Sequence, residues 1–300
     1  MPDFDHDLSV TILSWNTLTD LKLCLQSLSD RRVEADFEVI VVDNNSEDGS
    51  PDMVERDFPW VRLFRMDHNL GFCAGHNFAL EQRRGRHAFL LNSDTIVHEG
   101  ALAGILEYAE EHPEVGIIGP KLLNPDGSLQ LSCRRFPNPV AALFRNTPIG
   151  KLFPNNRFTR DYLMVDFHHD RTTEVDWVSG AAFLARREVI ERVGVFDVDY
   201  FMFCEDIDWC YRTWKAGFKV VYLPSSIVTH AIGRSTDKAP NRMIGRHHRS
   251  MLRFYRKNML PEVTPLLRPV ALSAAALAIG LRASIFIVKN KIDVVRRRFG

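Results

Sequence analysis

A chain of 300 residues, 45% hydrophobic and 25% charged, is long enough to bury one large core, and its ordinary make-up excludes a fibrous or disordered protein. The formal net charge of +0 hides a division: residues 240–300 hold 13 Lys/Arg against 2 Asp/Glu, and the first 239 hold 25 against 36. A basic end suits an anionic partner, a membrane surface or nucleic acid, but apart from Phe254 and Tyr255 it lacks the interleaved aromatics that nucleic-acid binding uses. The five cysteines, Cys24, Cys73, Cys133, Cys204 and Cys210, are odd in number and form no CxxC pair. They read as reduced thiols, and Met1 to Asp7 is too polar for a secretory signal, so a cytoplasmic location is expected.

Along the chain, Val10 to Leu13 reads as a strand, followed by a helix that Asn16 or Thr17 can cap and whose Leu18, Leu21, Leu25 and Leu28 share one face. Strands are expected at Glu38 to Val42, Val61 to Phe64, His87 to Leu91 and Val115 to Ile118, with helices at Phe78 to Arg83 and Gly100 to His112. Residues 124–174, rich in Pro, Asn, Asp and Arg, read as an irregular excursion over the site. The core resumes with a strand at Ala181 to Ala185, a helix from Asp206 to Ala216 and a strand at Lys219 to Leu223. Apolar strands alternating with helices predict an α/β protein with a mostly parallel sheet, which binds ligands at the carboxyl ends of its strands. Asp43-Asn44-Asn45, Asn92-Ser93-Asp94 and His230 all fall at such ends.

Burying an unpaired carboxylate costs several kcal/mol, roughly, so acids at the end of an apolar strand point to a metal or a substrate. Asp94 is suited to a hard cation, Mg²⁺ or Mn²⁺, which takes few carboxylates and the rest of its ligands from phosphate and water. Glu205-Asp206-Ile207-Asp208 opens a helix, where the dipole alone favours acids, and Asp208 with Arg212 has the spacing of a plain i,i+4 ion pair. The apolar neighbours Phe201, Phe203, Ile207 and Trp209 would nonetheless desolvate these carboxyls and raise one toward the range of a general base. The loop Asn69 to Asn77 has the glycine spacing of a ligand-approaching turn, without the spacing of a P-loop or a dinucleotide site. From Val270 to Val288 the chain is apolar apart from Arg282, with Lys289, Lys291 and Arg296 to Arg298 beyond. A helix lying in a membrane interface fits that pattern; packing on the domain or pairing as a homodimer is the plainer reading.

The order and spacing of Asp43, Asn92-Ser93-Asp94, Glu205-Asp206 and His230 resemble family-2 glycosyltransferases of the GT-A (Rossmann-like) fold, over about residues 8 to 258. Asn124-Pro125-Asp126-Gly127-Ser128, Cys133-Arg134-Arg135-Phe136-Pro137 and Trp177-Val178-Ser179-Gly180-Ala181 resemble its rhamnosyltransferase-type branch. The resemblance implies a domain over 1–258; the apolar and basic pattern beyond it predicts a membrane-associated helical segment over 259–300. It implies an inverting transferase with Asp206 as the base and Asp94 and His230 on a divalent cation. Ser14, Asn16, Asp43, Asn45, Asn69, Gly75, Asn77, Asn92 and Ser93 would face a nucleotide-sugar donor, Asp43 at the base and Asn92 at the ribose. Trp177, Gly180, Glu205, Asp208, Arg134 and Arg135 would face a glycan or lipid-linked acceptor. Asn92 stands where many relatives carry a first Asp, which leaves one carboxylate in that motif. A sugar nucleotidyltransferase would want a glycine-rich, basic loop where Leu13-Ser14-Trp15-Asn16-Thr17 stands, and a scaffold protein would have lost the base or the metal ligand.

Overall fold

The computed structural model describes residues 4–137, 144, 148–231 and 240–299, with side chains described except at residues 148, 149, 240 and 291–299. The remainder of the 124–174 excursion and the side chains of Arg296 to Arg298 lie outside that description.

Three parallel strands make the first half-sheet: β1 (His6–Ser14), β2 (Phe37–Asp43) and β4 (Gly85–Asn92), with β3 (Arg62–Arg65) at its edge. Period-2 side-chain alternation sends Val10, Ile12, Val39, Val41, Phe89 and Leu91 to one face, into the core built with helix α1 (Leu18–Asp30) and α2 (Ser50–Asp57). Ile40 and Val42 point the other way, with Ala79 of α3 (Phe72–Glu81). Both faces are covered, which is why these strands read as continuous apolar runs. The register pairs Ser14 with Asp43 and Leu13 with Asn92, so three carboxyl ends finish side by side.

After the short β5 (Thr95–Val97) and α4 (Ala101–Glu111), β6 (Val115–Leu123) starts the second half. The sheet order is β3-β2-β1-β4-β11-β6-β12-β5, with β11 (Ala182–Ala185) antiparallel to both neighbours and β12 (Lys219–His230) parallel to β6. The expected mostly parallel α/β sheet is therefore present, with β11 as the antiparallel link between its halves.

The excursion contains more order than its composition suggests: β7 (Leu129–Gln130), β8 (Cys133–Arg134), α5 (Pro148–Leu152), α6 (Arg157–Leu163) and β9 (Thr173–Glu174), with β10 (Trp177–Val178) just beyond it. Two-residue strands carry no readable periodicity, so pattern could not find them. The chain then runs through α7 (Arg187–Arg192), α8 (Glu205–Lys215) and α9 (Pro240–Phe254) to a long α10 (Arg268–Phe299).

Two boundaries and one helix cap differ from expectation for identifiable reasons. Helix α3 begins at Phe72 rather than Phe78, because Gly71 turns the chain at φ 81° and the Phe201 carbonyl accepts from the Phe72 N–H at 3.0 Å. A Cβ on Gly71 would stand 2.8 Å from the Phe201 ring, so glycine is needed there twice over. Strand β12 continues past Leu223 to His230, because after an irregularity at Leu223/Ile227 it resumes pairing with β6 and gains β5 on its other side. Helix α1 takes its cap from outside: the Leu18 N–H donates to Asp48 Oδ2 at 2.9 Å, and Thr17 turns its hydroxyl to Ser93 at 3.0 Å.

Candidate active site

The antiparallel pairing of β5 with β12 sets His230 opposite Thr95, and the Ala231 N–H donates to the Asp94 carbonyl at 2.9 Å. His230 Nε2 consequently lies 3.4 Å from Asp94 Oδ1 and 3.3 Å from Asn92 Nδ2. Two ligands each about 2.0–2.2 Å from one cation, at roughly 90–110° to each other, sit about 3.0–3.5 Å apart. The carboxylate–imidazole pair meets that requirement. No group of three or more His, Cys, Asp or Glu side chains among the described residues is arranged to hold a metal. The pair therefore suits a cation that draws its remaining ligands from a diphosphate and water.

Asp43, at the end of β2, is buried; its Oδ2 accepts from the Ser46 N–H at 2.9 Å and its Oδ1 has no partner. An orphaned buried carboxylate oxygen is costly unless a ligand N–H completes it, as a pyrimidine base does. Asn16 and Asn45 both adopt positive φ, 54° and 64°. The Asn16 N–H donates to Ser46 Oγ and its Oδ1 accepts from the Glu47 N–H at 2.8 Å, which staples the loops after β1 and β2 together. Ser14 and Ser93 are joined through the Thr17 hydroxyl, at 3.1 and 3.0 Å. Asn69 Oδ1 accepts from the Gly71 N–H at 2.9 Å, while Asn44 accepts from Leu70 N–H and donates to the Gly71 carbonyl.

Asp206, in the first turn of α8, accepts from the Gly180 N–H at 3.0 Å and from the Ile207 N–H at 2.8 Å. Burial raises its carboxyl above the usual value; these two N–H groups and the Arg134 charge pull the other way. Glu205 beside it is pushed well above the ordinary carboxylate range, by burial first and the Asp206 charge second, and its Oε2 is an unpartnered buried atom. Ala181, next to Gly180, accepts from the Asn92 N–H at 2.8 Å. One turn thus holds the Asp206 carboxylate on one side and the end of β4 on the other. Trp177 is buried, donates its indole N–H to the Arg135 carbonyl at 2.8 Å and carries the Arg134 guanidinium 5.2 Å from its ring centre. Arg135 itself pairs with Asp176 at 3.1 Å.

Three residues expected at the site have other work. Asn77 donates to the Phe196 carbonyl at 2.9 Å and accepts from the Phe196 N–H at 3.0 Å, so both ends of its buried amide are engaged within the protein. Gly75 lies inside α3, where a Cβ would come within 2.4 Å of Leu13 Cδ1; it allows helix and strand to approach rather than a ligand. Asp208 is fully buried: Oδ2 accepts from Arg212 Nε at 2.8 Å and Lys257 Nζ at 2.9 Å, and Oδ1 from Asn258 Nδ2 at 2.7 Å. The basic stretch Arg246 to Lys257, which has the look of a phosphate site, is partly spent in the same way. Arg253 and Lys257 pair with Asp197 at 2.9 and 2.8 Å, and Arg246 lies 3.9 Å over the Phe201 ring.

Gln130 is the site residue that pattern missed: its Oε1 lies 2.8 Å from His230 Nδ1, across 100 positions of sequence. Its only signal was its place at the end of the Asn124 to Ser128 motif. A cavity of about 350 Å³ lined by Phe136, Tyr211, Trp214 and Glu262, among others, includes none of the residues facing Asp94 or Asp206.

Residues 6–255 match the family model described as glycosyltransferase like family 2. The chain is 31% identical over 255 residues to the N-acetylglucosaminyl-diphospho-decaprenol L-rhamnosyltransferase of Mycobacterium tuberculosis (strain ATCC 25618 / H37Rv), covering 81% of this chain and 82% of that one. Among solved structures, the mannosyltransferase PcManGT from Pyrobaculum calidifontis in complex with GDP-Man and Mn²⁺ superposes with a TM-score of 0.54 at 17% identity, covering all of this chain and 77% of that one. GalNAc-T7 with UDP, GalNAc and Mn²⁺ superposes with a TM-score of 0.57 at 17% identity, over 75% of this chain but only 43% of that protein. The fold is the GT-A fold, and the chain belongs to glycosyltransferase family 2.

Proposed function

We propose that this protein is a metal-dependent inverting glycosyltransferase that moves one sugar from a nucleoside-diphosphate donor to an acceptor hydroxyl in cell-envelope polysaccharide synthesis. The observation that carries the reading is the meeting of Asp94 with His230 at the strand ends, joined through the Gly180–Ala181 turn to Asp206. Rhamnose is the first candidate sugar and a polyprenyl-diphosphate-linked GlcNAc the acceptor, both following the mycobacterial relative; TDP-rhamnose is the first candidate donor. A UDP-hexose is the alternative donor.

Asp94 and His230 would hold a divalent cation, Mg²⁺ or Mn²⁺, which would supply positive charge to the departing diphosphate. Asp43, with its open Oδ1, would receive the base, and Asn92 the ribose. Asp206 would take the proton of the acceptor hydroxyl as its oxygen bonds to the anomeric carbon and the bond to the diphosphate oxygen breaks. A raised carboxyl is a stronger base once ionised, and the Gly180 and Ile207 N–H groups keep the ionised form accessible. A single displacement inverts the anomeric centre, and no second carboxylate nucleophile is needed.

The C-terminal segment fits a membrane-facing acceptor. Pro265–Asn290 is 26 residues long, and its most apolar 18-residue stretch has a mean hydropathy of 2.0, with none of that stretch buried. That is longer than pattern alone gave and enough to cross a bilayer by length and composition. With basic residues on both flanks, it would bring the transferase unit, residues 1–258, to anionic lipid at the cytoplasmic face.

The direct test is transfer from TDP-rhamnose and from UDP-hexoses to GlcNAc-diphosphate-polyprenol, with the product's anomeric configuration read by NMR. An inverted product that requires Mg²⁺ or Mn²⁺ is expected. Retention of configuration, or full transfer in EDTA, contradicts the reading.

A further inference from the structure

The hairpin Asn124 to Gln130 carries a chain of hydrogen bonds whose direction can be worked out, and it ends on His230. Asp126 Oδ1, a carboxylate oxygen that only accepts, takes the Ser128 hydroxyl proton at 2.6 Å. The Ser128 oxygen is thereby left as the acceptor for Asn124 Nδ2 at 2.9 Å, which turns Asn124 Oδ1 toward Gln130. Gln130 Nε2 donates to that oxygen at 3.0 Å and to the main-chain carbonyl of His230 at 3.2 Å. A carbonyl can only accept, so the Gln130 amide cannot be reversed. Its Oε1 must be the atom facing His230 Nδ1 at 2.8 Å, and Nδ1 must carry a proton.

We infer that Gln130, held by Asn124, Ser128 and Asp126, is a positioning residue that fixes His230 in the Nδ1–H tautomer and so presents the Nε2 lone pair beside Asp94 for a divalent cation. The inference rests on the cation reading of Asp94 and His230 above. In the neutral ring this tautomer sets an imidazole lone pair 3.4 Å from a carboxylate oxygen, an arrangement of two acceptors that a cation between them resolves. Asn92 Nδ2, 3.3 Å from Nε2, donates to the same lone pair and would give way to the cation. A histidine free to take the other tautomer would instead point an N–H at Asp94 and close the site. The motif Asn124-Pro125-Asp126-Gly127-Ser128 acquires a role in this way: its turn, closed by Gly127 N–H to the Asn124 carbonyl at 2.9 Å, aims Gln130.

Two variants separate this role from simple support of the hairpin. Gln130→Met and Gln130→Glu both lose the donor to Asn124 and to the His230 carbonyl, but only Gln130→Glu keeps an acceptor for Nδ1–H. The tautomer is read from long-range ¹H–¹⁵N correlations of the metal-free full chain, with the His230 signal assigned by its loss in His230→Asn. Mn²⁺ affinity is read by calorimetry in the presence of UDP or TDP. The wild type and Gln130→Glu should show the Nδ1–H form; Gln130→Met should show a mixture and bind Mn²⁺ roughly 10–100-fold more weakly, the usual effect of removing the group that orients a metal-binding histidine. An unchanged tautomer in Gln130→Met, or equal loss of affinity in both variants, overturns the inference. No Mn²⁺ uptake by the wild type overturns the cation reading instead, and the metal-free tautomer still decides whether Gln130 sets the ring.

Discussion

Replacing Asp208 with Asn separates a structural acid from the acceptor-binding role that its place in the Glu-Asp-Ile-Asp motif suggests. The side chain is fully buried, and its Oδ2 faces two cations, Arg212 at 2.8 Å and Lys257 at 2.9 Å. Asparagine keeps the shape and the contact with Asn258, but it removes the charge and turns an N–H₂ toward one or both cations. Removing one partner of a buried ion pair costs about 3–5 kcal/mol. The lower end applies, because Arg212 keeps the Val193 and Val195 carbonyls and Lys257 keeps Asp197. At roughly 2–4 °C per kcal/mol for a domain of this size, a loss of about 3 kcal/mol lowers Tm by roughly 6–12 °C. Urea denaturation and scanning calorimetry measure it, and donor affinity at low temperature should stay within twofold of wild type. A stability change below about 1 kcal/mol, together with a selective rise in acceptor KM, would refute the structural account.

Asp206→Asn should reduce transfer by roughly 10²–10⁴-fold while donor binding persists, since a general base contributes about that much; near-normal turnover would remove Asp206 from its role. Because the folded Glu205 carboxyl lies well above its unfolded value of 4.5, the stability it confers is complete below that pH and is lost as pH rises through the folded value. Glu205→Gln removes the loss, so the variant's Tm should gain on wild type between acid and neutral pH; parallel curves would contradict the burial argument. Gly71→Ala must hold φ at 81° and push the Phe201 ring away, so chemical denaturation should show a loss of at least roughly 1–2 kcal/mol. Leu277 and Leu281 are 76% and 62% exposed on α10, and the pair Leu277→Glu/Leu281→Glu should abolish cosedimentation with anionic vesicles without lowering Tm.

The strand ends were legible because a buried parallel strand writes itself as an apolar run, and the first polar residue after it marks the carboxyl edge. Asp43, Asn92, Asp94 and His230 were found in that way, and the structure brings the last three within 3.4 Å of one atom. What pattern could not show was which polar side chains are already satisfied. Asn77 meets Phe196 across 119 positions and Asp208 meets Asn258 across 50, and nothing local distinguishes such residues from ligand-facing ones. Gln130 was hidden for the same reason: its significance comes only from the tertiary contact with His230. The start of α3 went astray because its cap, the Phe201 carbonyl, comes from elsewhere in the chain, whereas α1 starts where expected and only its capping side chain, Asp48, is remote.

The proposed mechanism stands on a cation-dependent nucleotide site at Asp94 and His230. Calorimetric titration of the full chain with TDP and with UDP, each with Mn²⁺ and with EDTA, tests it most directly. Mn²⁺-dependent binding of one of the two nucleotides, lost in Asp94→Ala, is expected. Binding of neither nucleotide under any condition, or equal binding in EDTA, would contradict it.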